Sequence, residues 1–172
     1  MANTPCWPTT PGLPITSPYG WRFHPIDEVW KFHAAIDIGG GGINHPVYAT
    51  QSGVVIAKGF DNSRGNYIIL EHTEDEFFSR YIHLAEPAFF NVGQTVSRCQ
   101  QIGIMGDTGA TTGIHLDFAI ATSLNGFGTE EGTIDPELYL EDAIHGGEPW
   151  EPGEYDLQII NSRQFIRRRR HV

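Results

Sequence analysis

The run 114-IHLDFAI-120 alternates apolar and polar side chains. On a strand, residues two apart share a face, so His115 and Asp117 point the same way. Working outward, alternating or β-branched runs bounded by turn residues recur at 33-HAAIDI-38, 52-SGVVIAKG-59, 66-NYIILEH-72, 77-FFSRYIHL-84 and 101-QIGIMG-106. They predict short antiparallel strands, with 61-DNSRGN-66 as a hairpin turn and 91-NVGQTV-96 as another. The helix signal lies at 135-DPELYLEDA-143, where Asp135 is the expected N-cap and Pro136 the first helical residue. Leu138, Leu140 and Ala143 are its apolar positions. The expectation is a mostly β protein: a compact antiparallel sheet with one short helix and extended termini.

The 172 residues favour one domain, and 40% apolar with 12% aromatic residues suffices for a packed core. Twenty Gly and 11 Pro fit many turns rather than a helical bundle. Pro5, Pro8, Pro11, Pro14 and Pro18 make residues 1–18 an extended, polyproline-like arm laid over the domain. Residues 19–145 read as the β domain, and 146–172 as a Gly/Pro/Glu linker followed by an Arg-rich tail. Charge is unevenly placed. Residues 1–162 carry 6 Lys/Arg against 21 Asp/Glu, while 163–172 hold five Arg and no acid. Such a body repels nucleic acid, leaving only the terminal arginines to bind it. No window approaches the ~20 apolar residues of a membrane span. The opening MANTPCWPTTPGLP lacks a basic n-region and an apolar h-region, so it does not read as a secretory signal. Cys6 and Cys99 form one bridge at most and, being unpatterned, are read as free thiols.

The chemistry sits in the strands. His33, Ala35 and Asp37 share a face if 33–38 is one strand, and His83 lies in mid-strand or at a strand end. Three imidazoles and two carboxylates on strand faces suit a divalent metal, since Zn²⁺ takes neutral His nitrogen and carboxylate oxygen. Spacing alone leaves the alternative open that each is a hydrogen-bonded, half-buried polar residue. Gly39–Gly42 is read as a loop flanking the site, since no P-loop lysine follows. His24, His45 and His72 are read as packing or turn residues, His145 and His171 as exposed.

The segments 16-TSPYGWRFHP-25, 32-FHAAIDIGGG-41, 47-VYATQSGVVIAKG-59, 65-GNYIILEH-72, 81-YIHLAE-86, 92-VGQTVSRCQQIGIMGDTGATTGIHLDFAI-120 and 134-IDPELYL-140 resemble, in order, the lysostaphin-type zinc metalloendopeptidases of peptidoglycan. The resemblance implies an active site in a groove across the sheet. It implies zinc ligands at His33 and Asp37, a catalytic histidine at His83, and a late H-x-H motif giving a catalytic histidine and then the third ligand. Here that motif reads 115-HLD-117, so His115 matches the catalytic position and Asp117 stands where a histidine is expected. Tyr19 and Arg22 fall in a segment that the family places beside the site. They are candidate substrate contacts, with a structural turn as the alternative.

Asp117 leaves two readings. Either it binds the metal, giving one His and two Asp ligands, or the site has lost its metal and keeps only the groove. Persistence of His33, Asp37, His83 and His115 favours the first. The ligand set would then be formally neutral with a dication, a weaker Lewis acid with a relaxed preference for zinc. Asp117→His is expected to tighten zinc. In an active site His115 would act as general base and His83 would donate to the developing oxyanion. The substrate expected is peptidoglycan peptides, glycine bridges and D-alanyl cross-links being equally open. The absent signal points to a phage-encoded lysin, carried in the virion tail or released at host lysis. Residues 157–172 would dock it to a protein partner, unless the tail is simply a solvated end. A noncatalytic structural or wall-binding module of the same fold is the other class.

Overall fold

Leu116, Phe118 and Ile120 are fully buried, so the alternation around 114–120 is a strand with one face in the core. Burying each such side chain is worth roughly 1.5–3 kcal/mol relative to exposure. The computed structural model describes residues 4–24, 28–145, 159–160 and 164–165. Along the chain run β1 (Ile15–Ser17), β2 (Gly20–His24), β3 (Val29–His33), β4 (Ile36–Gly39), β5 (Pro46–Tyr48), β6 (Gly53–Asp61) and β7 (Gly65–His72). They are followed by β8 (Phe77–Leu84), β9 (Thr95–Val96), β10 (Gln101–Ile104), β11 (His115–Ala121), β12 (Thr133–Ile134), α1 (Pro136–His145), β13 (Ile159–Ile160) and β14 (Gln164–Phe165).

An eight-stranded sheet is ordered β1-β4-β11-β8-β7-β6-β9, with β12 on β11, and every pairing is antiparallel. Three two-stranded sheets, β2–β3, β5–β10 and β13–β14, stand apart from it. Its inner face buries Ile36, Ile38, Ile68, Leu70, Tyr81 and Phe118. The expected 61–66 turn closes the β6–β7 hairpin, where Asp61 Oδ1 accepts from the Ser63 and Arg64 amides. The 91–96 turn instead returns the chain to β6, through β9. The helix starts as read, with Asp135 Oδ1 accepting the Glu137 amide at 2.9 Å. Of the expected apolar positions Leu140 is buried and Leu138 half exposed, while the side chain of Ala143 lies outside the described residues.

Three expectations change. The run 33–38 is two strands, with β3 ending at His33 and β4 starting at Ile36. Within the proline-rich segment Ile15–Ser17 form β1 of the main sheet, and Cys6 and Pro8 bond through their backbone to Thr50 and Tyr48. The cysteines are bonded to each other. Cys6 N donates to Thr50 O and Cys99 N to Ala49 O, so both flank one segment with Cα atoms 5.4 Å apart, within bridging range. The linker and most of the expected docking tail, 157–172, lie outside the described residues, as do His171 and the side chains of His24 and His145.

His72 is a packing residue, as read, and is buried at 1% exposure. It stacks on Phe77 at 4.4 Å, with Nε2 2.7 Å from Ser79 Oγ and Nδ1 2.9 Å from Ser52 O. Burial pushes its pKa down to about 4, against a smaller upward pull from the Ser52 carbonyl. The folded ring therefore stays neutral where the unfolded one, near pH 6.5, takes a proton. Stability is complete above pH 6.5 and falls as pH drops toward 4, by on the order of 3 kcal/mol. Melting curves of metal-free protein from pH 7.5 to 4.5 are expected to fall more steeply for wild type than for His72→Gln. Parallel curves would show that His72 is not the source.

Candidate metal centre

β4 and β11 place Asp37 directly opposite Asp117, and β11 and β8 place Asp117 opposite Ile82. Two carboxylates facing each other across a ladder repel, so the pair needs a cation nearby. His33, at the end of β3, turns in between them. Its Nε2 is 3.4 Å from Asp37 Oδ1 and 3.7 Å from Asp117 Oδ2. One ligand atom from each residue lies within 4.8 Å of the others. A tetrahedral zinc with bonds of about 2.0–2.2 Å has ligand–ligand edges of about 3.3–3.6 Å, so the spacing fits. Oδ1 of Asp37 is buried without a hydrogen-bond partner, leaving lone pairs for a metal, and Asp117 turns Oδ2 toward His33.

The imidazoles are preset. Nδ1 of His33 is 3.1 Å from Pro18 O, that of His83 2.8 Å from Thr108 O, and that of His115 2.8 Å from Gly113 O. A carbonyl only accepts, so Nδ1 carries the hydrogen and Nε2 of each neutral ring keeps its lone pair. His33 Nε2 can thus bind a metal and His115 Nε2, 3.6 Å from Asp37 Oδ1, can take a proton. On the protein alone, burial would lower the His33 pKa, but the carboxylates of Asp117 and Asp37 outweigh it and raise it to about 9. Its proton occupies the place a metal would take. Burial likewise works against ionised Asp117, yet His33, Arg80 and His83 hold its carboxyl below the usual range.

His83 arrives by a different route. Between Asn66↔Leu84 and Ile68↔Tyr81, β8 spends one residue more than β7, a bulge that puts His83 at φ 63°. Bulges re-aim side chains, and this one sets the His83 ring 4.8 Å from that of His115. The left-handed conformation costs on the order of 1–3 kcal/mol in a non-glycine residue, strain of the kind met at functional sites. The Thr108 carbonyl comes this close because position 65 is glycine, where a Cβ would overlap Thr108. With Nδ1–H committed to Thr108, the neutral His83 ring accepts at Nε2; it donates there only as imidazolium.

Five expected residues therefore converge: His33, Asp37, Asp117, His115 and His83. Tyr19 stands apart, its hydroxyl 3.0 Å from Thr133 Oγ1 and its ring against Phe32 at 5.1 Å. Arg22 reaches the site indirectly, donating through Nη1 to Ser17 Oγ, which lies 3.3 Å from His33 Nδ1. His45, as read, braces a turn, with Nε2 2.9 Å from Gly41 O and Nδ1 2.9 Å from Thr10 Oγ1. Sequence reasoning missed Arg80, Thr108 and Gly113. A lone arginine inside the apolar run 77–84 was the available signal for the first; the others act through backbone carbonyls and leave none.

An antiparallel β fold with one imidazole and two carboxylates at hand for a metal, flanked by two more imidazoles, has the make-up of a metallohydrolase. The chain belongs to peptidase family M23, whose model matches residues 31–136, a span holding all five converging residues. It is 36% identical over 104 residues to the DD-carboxypeptidase/endopeptidase Mpg of Neisseria meningitidis, covering 60% of this chain and 23% of that protein. It is 35% identical over 99 residues to the peptidoglycan DD-endopeptidase ShyA of Vibrio cholerae, covering 58% and 22%. The chain thus spans under a quarter of the length of these curated relatives. Among solved structures, the catalytic domain of the antimicrobial peptidase lysostaphin from Staphylococcus simulans superposes with TM-score 0.64 at 28% identity, covering 75% of this chain and 92% of that one.

Proposed function

We propose that this chain is a zinc-dependent endopeptidase that hydrolyses peptide cross-links of bacterial peptidoglycan. The observation that carries the reading is the convergence of His33, Asp37 and Asp117 beside His115 and His83, within a family M23 fold. His33 Nε2 and carboxylate oxygens of Asp37 and Asp117 would hold the metal, which when bound polarises the scissile carbonyl and activates water. His115 Nε2 takes the proton from the attacking water, its ring held by the Gly113 carbonyl. His83, when protonated, donates from Nε2 to the oxyanion as it forms. Arg22 steadies His33 through Ser17 rather than meeting the substrate. The DD-carboxypeptidase/endopeptidase and DD-endopeptidase activities for which Mpg and ShyA are named favour DD cross-links over glycine bridges.

The Cys6–Cys99 disulfide supports work outside the reducing cytoplasm. Carriage on a phage virion or release at host lysis would take the enzyme there, with residues 157–172 as the docking segment; the support is the arginine cluster beside an acidic body. A noncatalytic module is the second reading, and Asp117 at the third ligand position is the observation in its favour.

Metal analysis joined to muropeptide digestion separates the two. The enzyme reading expects one zinc per chain, cleavage of DD-cross-linked dimers, loss with chelator and recovery with zinc. Protein that takes up no metal and leaves sacculi intact after long incubation would overturn it.

A further inference from the structure

Arg80 projects from β8 on the Asp117 side of the sheet, in register with Ala119 and beside the Asp117–Ile82 pair. Its Nη2 lies 3.5 Å from Asp117 Oδ1, whereas Asp117 Oδ2 faces His33 Nε2 at 3.7 Å. The carboxylate is therefore shared, one oxygen toward the ligand cluster and the other toward a guanidinium. Both side chains are largely enclosed, at 14% and 13% exposure. Arg80 Cζ sits 5.0 Å from the Phe127 ring centroid, and Nε makes no hydrogen bond. A full positive charge is thus held next to the metal ligands where solvent screens it poorly.

We propose that Arg80 sets the charge of the metal centre, offsetting Asp117 so that His33, Asp37, Asp117 and Arg80 together carry one negative charge. The proposal rests on the metallopeptidase reading. The two-His, one-Asp set expected from the family resemblance also carries one negative charge. Asp117 and Arg80 together thus stand in electrostatically for the missing histidine. A centre formally neutral with its dication, the expectation from the ligands alone, is corrected: one positive charge remains to act on a substrate carbonyl. The cost falls on affinity, because the guanidinium repels the dication it sits beside.

That cost gives the test its sign. Arg80→Met is expected to tighten zinc by about tenfold or more, from Coulomb's law at a separation of a few ångströms, while slowing hydrolysis at saturating zinc. Damage to the fold would loosen zinc instead. Arg80→Lys, which keeps the charge, is expected to stay within a few-fold of wild type. Asp117→His alone leaves the guanidinium uncompensated and binds zinc no tighter than wild type, revising the expectation drawn from the sequence. Asp117→His with Arg80→Met binds it more tightly than either wild type or Asp117→His. Zinc affinities come from competition with a chromophoric chelator, and melting curves confirm that each variant is folded. Folded Arg80→Met with zinc affinity equal to or below wild type overturns the proposal. Wild type that binds no zinc at all overturns the metallopeptidase reading first, and this proposal with it.

Discussion

His115→Ala is expected to lower hydrolysis of a cross-linked muropeptide by roughly 10²–10⁴-fold, the usual worth of a positioned acid or base, while keeping one zinc per chain. The contrast is Asp37→Ala, which is expected to lose both zinc and activity. The distances are the reason for expecting different roles. Asp37 Oδ1 is 3.4 Å from His33 Nε2 and within the ligand group, whereas His115 meets that group only through the same oxygen, at 3.6 Å. The Nδ1 of His115 is fixed by Gly113 O at 2.8 Å, with Thr111 Oγ1 at 3.1 Å, so Nε2 faces the site without a hydrogen. His83 carries the same tautomer, with its ring 4.8 Å from that of His115. Zinc content by mass spectrometry and steady-state rates check both variants. A His115→Ala protein with full activity hands the base role to His83, and one that loses zinc makes His115 a ligand.

What could be read from the sequence follows from how local each cause is. Strands β6, β7, β8 and β11 were legible because alternation and β-branching are properties of neighbouring residues, and Asp61 and Asp135 announce a turn and a cap within three residues of themselves. His33 and Asp37 were legible as a pair, yet for an incomplete reason. They meet not as one face of one strand but because the chain breaks at Ala34–Ala35 and β3 hands His33 to β4. Arg80 was not legible as a partner of Asp117, since only the β8–β11 register sets them side by side. The bulge at His83 likewise depends on a mismatch between β7 and β8 that neither strand shows alone. The same holds for Cys6 and Cys99: 93 residues separate them, and only the arm's path along residues 48–50 brings them together.

That disulfide is the basis of the second large prediction. Closing a loop of 93 residues removes chain entropy worth roughly 4–5 kcal/mol from the unfolded state, in the loop-entropy model. Cys6→Ser/Cys99→Ser is therefore expected to melt about 10 °C or more below the oxidised protein, and reduction of wild type should give the same drop. The loss starts at the arm. Tyr48 N donates to Pro8 O, the Thr9 hydroxyl donates to Pro46 O at 2.8 Å, and Trp7 packs on the core, all held in place near the bridge. Hydrogen exchange should show the Cys6 and Tyr48 amides losing protection before those of β7 and β8. The arm continues into β1, whose Ser17 and the following Pro18 carbonyl both contact His33 Nδ1. Loosening the arm thus frees His33, the proposed metal ligand, and zinc affinity is expected to fall with the bridge. Melting temperatures within a degree of wild type would place the arm's stability in its backbone bonds and packing instead, and would remove the support for an oxidising compartment.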